Sequence, residues 1–251
     1  MGNWDALSIQ LVWFAADARH TDAAALYTSI FGADPDNFQK NKTPTPGAPQ
    51  LSIAAGVVDD FAYQLMVQAG RVDLMAQRHQ GEGVEGPVPI AGTDKVITEL
   101  SRRAAVIGEG LRGVTRLALV TTLIAPAANH LEANEKVAEQ IGVKLPRHDV
   151  TDLMFQLNLR KPIVGFTDTA MNRLVKFGVA GFQSITVEIG PQAVVTPHTV
   201  QNYAASLSID TNTVPRLTPF SSEEQKMIWS SLAAETNKLR ADGSLGGLWN
   251  A

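Results

Sequence analysis

Two histidines stand in the same relation to an acid. His20-Thr21-Asp22 and His130-Leu131-Glu132 each set a carboxylate two residues beyond an imidazole. Imidazole titrates closer to neutral pH than other unperturbed side chains, and a neighbouring carboxylate can orient it or hold its proton. His20, Asp22, His130 and Glu132 are therefore the candidate acid–base groups of the chain. The same spacing has a structural reading. Both triplets fall where a strand pattern passes into a helix pattern, and an acid in the first turn of a helix complements its dipole. The residues leave both readings open. No Ser, Arg or further carboxylate recurs at a fixed spacing beside the two pairs.

Other reactive patterns are sparse. His79 falls at a hairpin end, His148-Asp149 follows Pro146-Arg147, and His198 follows Pro197. None of the five histidines belongs to an H-x-H, H-E-x-x-H or D-x-H pattern, so no metal site is predicted. The absence of cysteine excludes thiol chemistry, cysteine zinc sites and iron–sulfur clusters. There is no G-x-S-x-G elbow and no Gly-Lys-Ser/Thr phosphate loop. Gly81-Glu-Gly83-Val-Glu-Gly86 matches the dinucleotide fingerprint letter by letter. Glu82 and Glu85 would repel a pyrophosphate, and Pro87 and Pro89 part the last glycine from the helix that follows. The segment reads as an acidic loop, and no cofactor is expected. Asp210-Thr-Asn212 resembles a fragment of a calcium loop without its Gly and closing Glu, and reads as a strand end.

The elements that would position these groups follow from periodicity. Leu7 to Ala15 begins with alternation and turns wholly apolar, as a central strand does. His20 to Phe31 has helical spacing and stops at Gly32. Asp34 to Pro49 reads as an exposed loop. Strands are predicted at 50–58, 63–68 and 72–77, the last two turning at Ala69-Gly70-Arg71. After a Gly/Pro/Glu loop, Thr93 to Ile107 carries one apolar helical face. The order then recurs: strand 114–124, helix 129–141, strand 153–160, a strand pair over 174–189 turning near Ala180-Gly181, and strand 203–213. Ser221-Ser-Glu-Glu224 is a capping box that opens the last helix.

This order predicts an α+β protein built of two similar strand–helix–three strands–helix halves, 1–112 and 113–251. A shift of 110 residues lays Ala15, Ala18, His20, Ala23 and Gly32 over Ala125, Ala128, His130, Ala133 and Gly142, and Asp22 over Glu132. Such an internal repeat would pack as one unit. Its two units can pair edges into one larger mixed or antiparallel sheet, with helices on one face and few exposed edges.

Composition bounds the partners. With 251 residues, 45% hydrophobic and 18% charged, the chain can bury a large core, so disorder and fibrous classes are excluded. The net charge of −4 argues against a general nucleic-acid binder. Helix, three strands, helix is the order of a double-stranded-RNA module, but Thr93-Asp94-Lys95 and Ser221-Ser-Glu-Glu224 put acids where phosphate would sit. No apolar run reaches the length of a membrane span, and the N-terminal residues lack the pattern of a signal peptide or a myristoylation site. A soluble cytoplasmic protein without membrane contact is expected.

Residues 116–120 (Arg-Leu-Ala-Leu-Val), 207–212 (Leu-Ser-Ile-Asp-Thr-Asn) and the long helix from Glu223 to Arg240 resemble a bacterial family of uncharacterised, sporadically distributed proteins. The resemblance covers the second half. Where an aromatic and an arginine are expected in the middle strand, this chain has Val120, Thr121 and Thr122. It implies a bacterial accessory protein and carries over no catalytic residue. With no nucleophile, phosphate loop or metal cluster in the sequence, the expected function is a non-enzymatic binding or assembly protein. Its partner is a protein or a second copy in a homo-oligomer. The alternative is an enzyme or small-ligand binder with a cleft between the halves, using His20 or His130 as an acid–base group.

Overall fold

A computed structural model describes residues 4–45, 47, 49–81, 86–146, 150–189 and 195–249. The first half runs β1 (Asp5–Ala15), α1 (Ala23–Phe31), β2 (Asn37–Lys40), β3 (Gln50–Val58), β4 (Phe61–Gln68), β5 (Arg71–Arg78) and α2 (Thr93–Gly110). The second runs β6 (Val114–Ala127), α3 (His130–Ile141), β7 (Phe155–Pro162), β8 (Ala170–Ile189), β9 (Val195–Thr213), α4 (Ser222–Asp242) and the short α5 (Leu245–Trp249).

The strands form one antiparallel sheet in the order β2-β3-β4-β5-β1-β6-β9-β8-β7. From the central β1–β6 pair, β5, β4 and β3 follow on one side and β9, β8 and β7 on the other. Each half thus gives its first strand to the centre and its last strand next to it. The α+β class and the single larger antiparallel sheet follow the sequence pattern.

Period-two alternation sorts each strand into two faces. On β1, Ile9, Leu11 and Trp13 are fully buried and face the helix layer. Trp13 meets Trp229 of α4 at 4.9 Å between ring centroids. Leu74, Leu119, Leu207 and Ile209 belong to the same core. Some polar groups within this layer are paired, while Trp13 Nε1 and Trp229 Nε1 are buried without a hydrogen-bond partner among the described residues. The Thr211 and Thr236 hydroxyls lie 2.7 Å apart, and Glu235 of α4 takes Lys161 at 2.9 Å and Arg173 at 3.1 Å.

The helix ends confirm local signals. Ser221 and Glu224 form the capping box, Asn129 caps α3 through the Glu132 amide, and left-handed Gly32 and Gly142 end α1 and α3. Asp59 and Asp60 take positive φ in the tight β3–β4 turn, a conformation Asp tolerates better than most residues.

Three expectations are corrected. The loop after α1 contains a short edge strand, because Asn37 to Lys40 pair with Ser52 to Ala55. His20 closes a 3-10 turn, Ala18–His20, and α1 starts only at Ala23, after the capping Asp22. Residues 174–189 are not two strands: Ala180 and Gly181 lie mid-strand opposite Ala204 and Tyr203. An added Cβ at Gly181 would meet the Tyr203 Cε1 at 3.9 Å, an ordinary contact, so the glycine neither turns the chain nor is required by a close neighbour. β8 and β9 pair from Met171 to Ile189, well past the last partner of β7, Phe177. His148, Asp149, Glu82, Gly83 and Glu85 lie outside the described residues.

Candidate functional site

The two His–acid pairs are not bonded as pairs among the described residues. His20 is exposed, and its Nε2 accepts from Arg19 Nε at 3.2 Å. The Asp22 carboxylate instead caps α1, accepting from the amides of Ala24 at 3.0 Å and Ala25 at 3.2 Å, and pairs with Lys40. Its burial would raise its pKa, but these amides and Lys40 outweigh that and hold it low. His130 is half-buried, with Asn134 Nδ2 3.3 Å from its Nδ1 and the Tyr203 ring edge-on at 5.5 Å. Glu132 pairs with Lys136 and accepts the Ala128 amide, which together lower its pKa.

Antiparallel pairing also separates the two sites. Ala15 pairs with Val114 at one end of β1 and Asp5 with Ile124 at the other. His20 and His130 follow opposite ends of this ladder, roughly 35 Å apart at about 3.4 Å per residue. An open hollow of about 560 Å³ beside His20 is lined by Asp17, Thr21, Asp22, Leu26 and Arg112, all from the first half. A smaller hollow of about 220 Å³ lies between the halves, with Pro87 and Pro89 facing Pro126 and Tyr203.

A different cluster stands out on the face of the sheet that bears no helix. It forms where the two halves meet, and strand register aligns it in rows. The first row is Arg71–Phe14–Arg116, across β5, β1 and β6. Both guanidinium groups lie over the Phe14 ring, at 5.5 Å for Arg71 and 4.9 Å for Arg116, an attraction between cation and ring quadrupole. The second row is Asp73–Val12–Ala118–Asn212–Asn172–Arg160. The third is Met75–Gln10–Val120–Asp210–Leu174.

The centre is well buried for an uncovered sheet face: Val12 and Asp73 are 2% exposed and Asn212 is 3% exposed. Asp73 is held by Arg71 through Nη2 at 2.6 Å and Nε at 2.8 Å, and by Gln10 Nε2 at 2.8 Å. Asn212 bridges the rest. Its Oδ1 accepts from Arg116 Nη2 and from Asn172 Nδ2, each at 3.0 Å, and its Nδ2 donates to Asp210 at 2.9 Å. Asn172 Oδ1 accepts from Arg160 Nε at 3.2 Å. Burial raises the pKa of Asp210, against the opposing pull of Asn212, Arg116 and Arg71.

Sequence reasoning passed over this cluster. Its signal was a charge inside an apolar strand: Asp73 between Val72 and Leu74, Arg116 ahead of Leu117 to Val120, Asp210 after Ile209. Each breaks a run that would otherwise read as core. That the charges share one face depends on the register between strands far apart in sequence.

No protein-family model matches the chain, and neither a curated protein nor a solved structure matches it. Among the described residues no helix is long and apolar enough to cross a membrane, and no three His, Asp or Glu side chains gather as a metal site.

Proposed function

We propose that this protein is a non-enzymatic binding or assembly protein, and that its working surface is the helix-free face of the sheet. One observation carries the reading: that face is fixed by a buried polar network and yet presents apolar side chains beside it. Ile53, Met66, Met75, Val120 and Leu174 are half-buried there, and among the described residues no helix lies over them. An antiparallel sheet that merely meets solvent alternates apolar-in and polar-out. A face mixing stacked arginine, aromatic and aliphatic groups has the make-up of a protein interface. The partner is a protein or a second copy of the chain. The family resemblance of the second half, a bacterial accessory protein in the cytoplasm, agrees with this reading. Nucleic acid is disfavoured by Asp94, Glu223 and Glu224 in the first turns of α2 and α4.

The histidines support an enzyme less well. Asp22 and Glu132 are committed to helix N-termini, and the hollow at His20 is open and confined to one half. A photo-crosslinking side chain in place of Leu174, on the helix-free face, should give a discrete protein adduct in cells. The same group in place of Val106, 41% exposed on α2, should not. Adducts from position 106 with none from 174 would move the working surface to the helix layer.

A further inference from the structure

The cations of the helix-free face are unevenly answered. Asp73 neutralises Arg71 through a close, two-pronged contact. Arg116 and Arg160 have no ion pair among the described residues. Each bonds instead to a neutral amide oxygen, of Asn212 and Asn172 respectively. Arg116 is half-buried, and its Nε is buried without a hydrogen-bond partner among the described residues. A buried guanidinium donor left unpaired is costly, and its planar fork fits a carboxylate with two parallel bonds.

Asn212 and Asn172 fix the spacing of the two cations. One amide chain joins Arg160, Asn172, Asn212 and Arg116 across β7, β8, β9 and β6. Arg160 is exposed at the sheet edge and Arg116 lies at its centre. An extended segment crossing the strands would meet both. Val12, Ala118 and Val120 form a low apolar floor between the polar walls. Charge on this face is thus opposite in character to the acidic chain as a whole.

We infer that the helix-free face receives an acidic peptide segment of a partner protein, with carboxylates on Arg116 and Arg160. This rests on the reading above, that the helix-free face is the working surface, and adds the chemistry of the occupant. Asp210 is the opposing charge on the same face. It is bonded to Asn212 and lies two rows from Arg116 on the same face, so its carboxylate works against an incoming acid.

The probe is a fluorescein-labelled peptide of ten glutamates, titrated by fluorescence polarisation at low ionic strength, where such contacts are least screened. The intact chain should bind it. Arg116→Gln with Arg160→Gln should weaken binding about tenfold or more, the scale of losing two charge-assisted contacts. Arg160→Gln alone, at an exposed edge position that gives up only the Asn172 contact, should weaken it about threefold. Asp210→Asn should tighten it. Lys226→Gln, on the exposed side of α4, should leave it unchanged. No peptide binding, or equal loss in the Lys226 variant, would overturn the acidic-segment proposal. So would tighter binding of a ten-nucleotide oligothymidylate, which would mark a general polyanion surface. Crosslinking from position 174 would survive the first of these outcomes, so the occupant and the surface fail separately.

Discussion

At the scale of single residues, an acid at a helix start is claimed by backbone amides. The spacing of His20 to Asp22 and of His130 to Glu132 marks two strand-to-helix corners, and both acids do serve helix starts. What spacing alone left undecided was whether imidazole and carboxylate would meet. Asp22 is the N-cap of α1, where the unsatisfied amides of Ala24 and Ala25 point at its side chain, so they take it. The two histidines should therefore respond differently to removal. His20→Ala, at an exposed position, should change stability by less than about 0.5 kcal/mol. His130→Ala loses the Asn134 contact and the Tyr203 edge and should cost about 1 kcal/mol. Chemical denaturation of both variants gives these values. Binding of the partner should persist in each once corrected for folded protein. Lost binding by a fully stable His20 variant would restore the histidine site.

At the scale of elements, periodicity found the helices and most strands but misjudged the long ones. Gly181 was read as a turn because glycine most often marks one. Here it sits mid-strand opposite Tyr203, where the unbroken β8–β9 ladder overrides the local turn preference. The short β2 was hidden because four exposed residues carry no apolar pattern. The link between α4 and the outer strands was hidden too. Glu235 holds Lys161 of β7 and Arg173 of β8, and sequence separations of 74 and 62 residues give no local sign of it. Burial would raise the pKa of Glu235, but its bonds to Lys161 and Arg173 prevail and hold it below the ordinary carboxylate value. A carboxylate with a lowered folded pKa adds stability above its unfolded pKa, about 4.5, and loses it as pH falls through the folded value. Glu235→Gln should cost about 3 kcal/mol at pH 7, the scale of breaking a buried ion pair. The gap between variant and parent should narrow in unfolding curves taken progressively below pH 4.5. A gap constant down to pH 2 would show that shape rather than charge holds α4 to β7 and β8.

At the scale of the whole molecule, the sequence order carried the α+β class and the one large sheet, and strand pairing built a surface the sequence did not display. Joining β1 to β6 removes two edges and brings Phe14 between Arg71 and Arg116. The helices bury one side of this sheet, leaving the other with cations that asparagines answer incompletely. Methionine oxidation reads both sides directly, because sulfoxide forms only where the thioether is reached. Met66 and Met75 lie on the helix-free face, and Met227 is 52% exposed on α4. Oxidative footprinting should be compared between the protein in intact cells and the purified chain. If the helix-free face is the working surface, Met66 and Met75 are protected in cells and become reactive on purification, while Met227 reacts equally in both. Protection of Met227 in cells, with Met66 and Met75 unchanged, would contradict the assignment.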